Sequence, residues 1–475
     1  MTTGSVPPGM PVVLDRHVRQ LADGTVLLGG DPGRLVRLRP AGVAALARLA
    51  DGAPVTAVAR VLARTLVDGG VAHPRPRPAP VVDLTVVVPV RDRSGELARC
   101  LAALGDAVPV VVVDDGSDDP SAVAAVCRRY GAVLVRRNVS GGPAAARNTG
   151  YAATRTSLVA FVDSDCQPPV CWLDALAGHF DDPACGAVAP RVRAGATTPN
   201  PPARTLPART LLARYAVDRG PLDMGPHEAQ VRPGGRVPYV PTAALLVRRS
   251  ALESAHPFDE TLRYGEDVDL VWRLHDAGWT VRYDPRTVVG HDEPERWPAW
   301  LARRHHYGTS AAPLSRRHGR RLSPLVLTPW PTTSWLLLLL GRPGTAALAL
   351  GAAGWRLHRL LRRSGLPPRT SVAVAIRVAG QATVGAASGF GGPGSVVTAP
   401  VLLALLGFRR TRRSAAVGLL APPLLEWLAR RPGLDPVRWS LLRLVDDLAY
   451  ATGVWRGCWS AGSADPLRPR RRRPV

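Results

Sequence analysis

The chain contains no lysine. All 61 basic residues are arginine, set against 37 acids for a formal net charge of +24. An excess carried by one residue type reflects composition as much as any partner, so it does not by itself select nucleic acid, anionic lipid or a diphosphate. Paired cysteines are missing too. Cys100, Cys127, Cys166, Cys171, Cys185 and Cys458 form no CxxC pair and have no histidine cluster beside them. Neither a disulfide framework nor a Cys/His metal site is indicated, and reduced thiols in a cytoplasmic chain are expected. The N-terminal MTTGSVPPGM lacks the basic start and apolar core of a signal peptide. Long apolar runs are interrupted: Val378 to Phe408 carries no charge, but Gly389, Gly391, Gly392, Pro393 and Gly394 divide it. Each half is short against the ~20 apolar residues of a full span.

What is present divides into regions. With 475 residues and 46% hydrophobic content, two or three domains with real cores are expected. Residues 11–73 open with short strand-like runs broken by Asp-Gly and Gly-Gly, then two helical patterns, the first placing Val43, Leu46, Leu49 and Ala50 on one face and stopping at Gly52. Strands plus two short helices suggest a winged-helix-like domain. HPRPRPAP follows, with residues 74–80 as an extended, fairly stiff linker. Residues 81–310 alternate strand and helix, which implies an α/β domain with a parallel sheet covered by helices. Residues 320–465 are apolar and helical, edged by Arg362, Arg363, Arg409, Arg410, Arg412 and Arg413. Membrane association there, as re-entrant or interfacial helices or one to three spans on the cytoplasmic face of the cell membrane, is expected over a soluble helical extension. Residues 466–475 form an Arg-rich, solvated tail.

In the α/β region the apolar run SLVAFV ends in Asp163-Ser164-Asp165. A lone DxD is ordinarily a polar turn. Here Asp92, Asp114, Asp115, Asp163 and Asp165 all fall at strand carboxyl ends, where open parallel sheets bind ligands. Carboxylates crowded on one edge repel, so they need a cation or hydrogen-bond donors. Gly141-Gly142 leads into a helix start that offers N–H groups to anionic oxygens, with Arg147 as a charged donor. Glu266 and Asp267 precede an amphipathic helix, where a capping role and a proton-accepting role are both open. His291 after a strand is open between structural and ligand roles. ERWPAWLARRHHYG, Glu295 to Gly308, is a helix that either covers an acceptor with its aromatics or packs the C-terminal region.

Residues 84–310 resemble the family-2 glycosyltransferases with their GT-A, Rossmann-like nucleotide-sugar fold. The resemblance rests on VVVPVRDR, VVVDDGSDD, GGPAAARNTG, FVDSDC and GEDVDLVWRL in that order. It implies nucleotide-sugar binding by Pro89, Asp92, Asp114, Asp115, Arg147, Asn148 and Asp163, with Asp115 at the uridine. It implies a Mg or Mn ion on Asp165, Asp163 and His291, and Asp267 as the base with Glu266 beside it. One base and one displacement imply inversion. The segment Tyr239-Val240-Pro241-Thr242 fits the family's acceptor floor only loosely.

The pattern DGTVLLGG…RLRPAGVAALARLADG…LVDGGVAHP in residues 11–73 looks like the peptide-chaperone domain of the pyrroloquinoline quinone pathway. Joined to the rest, it resembles the mycofactocin-system glycosyltransferases. That implies transfer of hexose, as a β-1,4-linked glucose chain from UDP-glucose, to a small redox cofactor derived from a ribosomal peptide. A membrane glycosyltransferase acting on lipid or polysaccharide is the first alternative. A winged-helix nucleic-acid binder is the second; its candidate recognition helices are Ala/Leu/Val-rich rather than polar, so no nucleic-acid partner is expected.

Overall fold

The computed structural model describes all residues except 1–4, 22, 54–55, 196–209, 324–325, 328, 364, 391–393 and 472–475. The chain divides into two compact units, Met1–Glu293 and Pro294–Val475.

The first unit opens with a small module. Val12–Leu14 pairs antiparallel with Ala72–Pro74. Arg19–Leu21, Val26–Gly29 and Arg34–Arg37 form an antiparallel meander. Helices Pro40–Ala50 and Ala57–Asp68 follow; the second is capped by Thr56, whose hydroxyl accepts from the Ala59 N–H at 3.3 Å. Leu27, Leu46, Leu49, Ala63, Leu66 and Val71 form its core. Val43 packs against that core, while Ala50, expected on the same face, is exposed in the last turn. The strands and two helices expected of residues 11–73 are present, with the meander ahead of both helices.

The Pro-rich segment is extended but not a free spacer. Arg75 N donates to Pro11 O, Ala79 N to Asp174 O at 3.0 Å, and Val81 N to the Asp174 carboxylate at 3.2 Å. Its composition dictates extension; the backbone donors left between prolines then find acceptors on the domain beneath.

Among the described residues nine strands build the main sheet: β1 (Leu84–Val90), β2 (Val110–Asp115), β3 (Val133–Arg137), β4 (Leu158–Val162), β5 (Cys166–Gln167), β6 (Cys185–Ala194), β7 (Ala229–Val231), β8 (Ala244–Arg248) and β9 (Thr280–His291). The order is β5-β9-β6-β8-β4-β1-β2-β3, with β7 on β9. β4, β1, β2 and β3 run parallel, and β8 is antiparallel to β4 and β6. Val86, Val87 and Val88 are wholly buried, as a central strand covered on both faces requires. The crossover helices are α1 (Ser94–Leu104), α2 (Pro120–Tyr130) and α3 (Pro143–Ala152); α4 (Glu266–Asp276) lies between β8 and β9 in sequence. The parallel strands therefore all finish on one edge, and their terminal acids gather there.

The second unit is helical. Helix Trp297–Thr309 crosses Pro436–Ala461 with backbone against backbone: a side chain at Gly308 would strike Tyr450 O, and one at Gly453 would strike His305 O. Arg304 and Asp446, both buried, pair at 2.7 Å across this crossing. The helix placed above in residues 81–310 thus belongs to the second unit and packs the C-terminal region, with Trp300 buried and Trp297 exposed. No described helix is long and apolar enough to cross a membrane. Ser395–Leu406 has 12 residues, which at ~1.5 Å each reach about 18 Å against a ~30 Å core, and Pro343–Arg363 carries Arg356, Arg359, Arg362 and Arg363. Gly391, Gly392 and Pro393 lie outside the described residues. The tail is not wholly solvated: Arg470–Arg471 pairs with Val326–Leu327.

Candidate active site

Each crowded acid at the sheet edge meets a donor. Asp114, fully buried, binds Arg136 Nη1 at 2.8 Å and accepts from Ser117 N at 2.9 Å. The Asp115 carboxylate receives Arg137 Nε (2.8 Å), Ser140 Oγ (2.8 Å), Gly141 N (3.0 Å) and Gly142 N (2.8 Å). Burial alone would raise its pKa; these donors outweigh burial and hold it below the usual range. Gly116, at φ +74°, has Ser140 N where a Cβ would stand, and that lets the glycine-rich loop lie on Asp115. Asp92, also at positive φ, is exposed and accepts from Asp118 N at 2.7 Å. Pro89 sits in β1 opposite Val113.

Asp163 and Asp165 leave β4 as the sequence suggests. Arg147, on α3, donates to Asp163 at 2.7 Å and to Glu266 at 2.8 Å, with its guanidinium 5.5 Å from the centre of the Phe258 ring. It is 3% exposed. One buried arginine therefore ties the DSD turn to the start of α4. Arg93 donates to Asp165 Oδ2 at 2.7 Å, and His291 Nε2 stands 3.5 Å from Asp165 Oδ1. Glu293 reaches His291 Nδ1 at 3.3 Å.

The cap of α4 is Gly265, at φ 82°, not Asp267. Asp267 Oδ1 instead accepts from Val268 N at 2.7 Å. Its pKa is pushed up to about 7, chiefly by burial and then by the neighbouring Glu266 charge, with Asp163 adding to the rise. A carboxyl half-charged near neutral pH is matched to taking a proton. Asp269 is bound by Arg273 at 2.7 Å, and Trp272 donates to Pro238 O at 2.7 Å, so both hold the fold around the helix.

Several residues expected to contact the nucleotide make contacts within the chain. Asp114 and Asp115 hold neighbouring strands and the glycine-rich loop because buried carboxylates require donors. Asn148 grips the loop before α4, donating to Phe258 O and Glu260 and accepting from Phe258 N. Arg147 is held between two acids, Asp163 and Glu266. The sequence reading missed Arg93, Arg136, Arg137 and Glu293. Their signal was the crowding itself: five acids in a lysine-free chain call for arginines.

A cation fits this donor set in one way. Magnesium-like ions are commonly held by one or two protein donors together with substrate phosphates. Asp165 with His291, the latter backed by Glu293, is such a pair. No group of three or more His, Cys, Asp or Glu residues among the described residues could form an all-protein cage.

Parallel strands with their acids gathered at the carboxyl edge, a glycine-rich turn and the Glu266-Asp267 pair at the start of α4 belong to the GT-A-like α/β fold of a glycosyltransferase. The Glycosyl transferase family 2 model matches residues 85–254. The chain is 40% identical to the pre-mycofactocin glycosyltransferase of Mycobacterium tuberculosis (strain ATCC 25618 / H37Rv) over 99% of both chains. It is 22% identical to the probable glycosyltransferase YdaM of Bacillus subtilis (strain 168) over 46% of this chain and 53% of that one. Among solved structures, a mannosyltransferase from Pyrobaculum calidifontis, in complex with GDP-Man and Mn2+, aligns over 78% of this chain and 89% of that one at 18% identity, TM-score 0.39. The chain belongs to the pre-mycofactocin glycosyltransferase family.

Proposed function

We propose that this glycosyltransferase moves a hexose, glucose from UDP-glucose, with inversion onto a pre-mycofactocin acceptor and extends it as a β-1,4-linked chain. The observation that carries the mechanism is the placement of Glu266 and Asp267 at the start of α4, tied through Arg147 to Asp163 of the DSD turn. The acceptor hydroxyl gives its proton to Asp267 as its oxygen forms the bond to C1. The bond from C1 to the diphosphate breaks, and that electron pair leaves with UDP. One displacement on one face inverts the anomeric carbon. Glu266, fixed by Arg147, stands next to Asp267 and contributes to the upward shift of its pKa. Asp92 and Asp163 face the donor, while Asp115 shapes the glycine-rich loop whose N–H groups suit phosphate oxygens. A Mg2+ or Mn2+ ion, when bound by Asp165 and His291, supplies Lewis-acid neutralisation of the departing diphosphate.

The second unit suits the cytoplasmic face of a membrane. Between residues 329 and 434 stand thirteen arginines against one acid, Glu426. Leu348, Trp355, Ile376 and Phe408 are each more than 60% exposed among them. Apolar side chains within a cationic field fit an interfacial seat on anionic lipid.

The test is mass spectrometry of pre-mycofactocin incubated with the protein, UDP-glucose and Mn2+. Successive hexose increments are expected. Transfer to lipid or polysaccharide, with none to the cofactor, would overturn the acceptor assignment.

A further inference from the structure

Arg147 was the arginine expected to meet the donor's phosphates, yet it is buried and fastened to two carboxylates. The charge that faces a diphosphate has to come from another side chain. Arg93 differs from Arg147 in every respect that matters. Its side chain is 45% exposed, while its partner Asp165 is 10% exposed. The carboxylate is the fixed member of the pair, and the long arginine is the one that can move.

Both oxygens of Asp165 are addressed. Oδ2 accepts from Arg93 at 2.7 Å, and Oδ1 faces His291 at 3.5 Å. A divalent ion held by Asp165 and His291 would stand within a few ångströms of the guanidinium and repel it. The buried groups cannot yield, so Arg93 does. Its neighbours show where it could go. Arg91, two residues earlier, donates to Ser140 of the glycine-rich loop at 3.1 Å. Arg91 and Arg93 thus leave one turn, either side of Asp92, for the glycine-rich loop and the DSD turn. A guanidinium fork matches phosphate oxygens as well as it matches carboxylate.

We propose that Arg93 is a donor-binding residue that occupies Asp165 when no donor is bound, and transfers to the diphosphate when the nucleotide arrives with its cation. This rests on the nucleotide-sugar reading above. It makes free metal a poor ligand for the resting enzyme and orders entry, with cation and nucleoside diphosphate binding together. The binding steps break and form ion pairs only; no covalent bond changes.

The test uses the full chain with Mn2+ and UDP as probes. Mn2+ binding alone is read from the free-ion electron paramagnetic resonance signal, and UDP binding at saturating Mn2+ by calorimetry, with thermal melts to confirm folding. Arg93→Met is expected to tighten Mn2+ binding in the absence of nucleotide by about 2- to 5-fold, the range for losing one part-exposed ion pair. The same variant should weaken UDP by about 10-fold or more, as loss of a charged hydrogen bond does. A residue that merely supported the fold would weaken both. Unchanged or weaker Mn2+ binding in Arg93→Met, or unchanged UDP affinity, overturns the proposal. The underlying reading fails differently: wild-type protein that binds no UDP removes the nucleotide site, and Asp165→Asn that keeps full Mn2+ affinity removes the metal assignment.

Discussion

Replacing Asp267 by asparagine should make the enzyme more stable and nearly inactive at once. The carboxyl moves from an ordinary 3.8 to about 7 on folding. Between about pH 4 and pH 7 the folded chain keeps a proton that the unfolded chain has released. Stability therefore falls as pH rises across that window and is flat above it. At ~1.4 kcal/mol per pH unit the penalty above pH 7 is about 4 kcal/mol. Asparagine carries no such penalty. It forgoes roughly 0.5–1 kcal/mol of favourable interaction between a negative charge and the first turn of α4. A net gain of about 3 kcal/mol at pH 8 is expected, disappearing near pH 4. Urea unfolding of both proteins at the two pH values measures it. Turnover should drop by about 10²–10⁴-fold, because the amide cannot take the acceptor's proton. The wild-type rate should climb with pH up to about 7 and level off. Equal stability at pH 8 together with near-native turnover would refute the assignment of Asp267 as the base.

Two further outcomes are expected. Arg64→Met should destabilise the first unit by about 3 kcal/mol in urea titrations, since Arg64 is buried and pairs with the fully buried Asp182 at 2.6 Å; an unchanged midpoint would show that the seam contributes nothing. The protein should sediment with vesicles containing anionic lipid and stay bound through a high-salt wash, because apolar burial is not screened as arginine contacts are; complete release by salt would leave only electrostatic attachment.

The catalytic domain was legible because its strands are near-pure valine and leucine runs that end abruptly in acids. VVVV before Asp114-Asp115 and LVAFV before Asp163 can hardly be anything but buried parallel strands. What the acids bind was not legible. Asp114 opposes Arg136 and Asp115 opposes Arg137 only through the register of β2 on β3. Arg147 reaches Glu266 across 119 positions, a distance no local pattern encodes. The Pro-rich stretch was read as an extended linker, and the contacts it makes were not legible, since composition sets backbone conformation but not whether the segment lies against a neighbour. The boundary after Glu293 escaped for a similar reason. Trp297–Thr309 has a helical pattern, but only the glycines at 308 and 453 reveal which helix it lies against.

The ion pairs that fasten the small module to the sheet also set a timetable. Asp15 accepts from Arg236, 221 positions later, and Arg64 donates to Asp182, 118 positions later. A chain made from its amino end exposes the module long before either partner exists. Until the sheet emerges, Asp15 has only His73 and Arg64 only Asp68 as ion-pair partners within the module, so each buried charge still lacks its second partner. Its final packing therefore waits on synthesis of the catalytic sheet, and the two should be born as one cooperative body, not as a finished bead followed by a second.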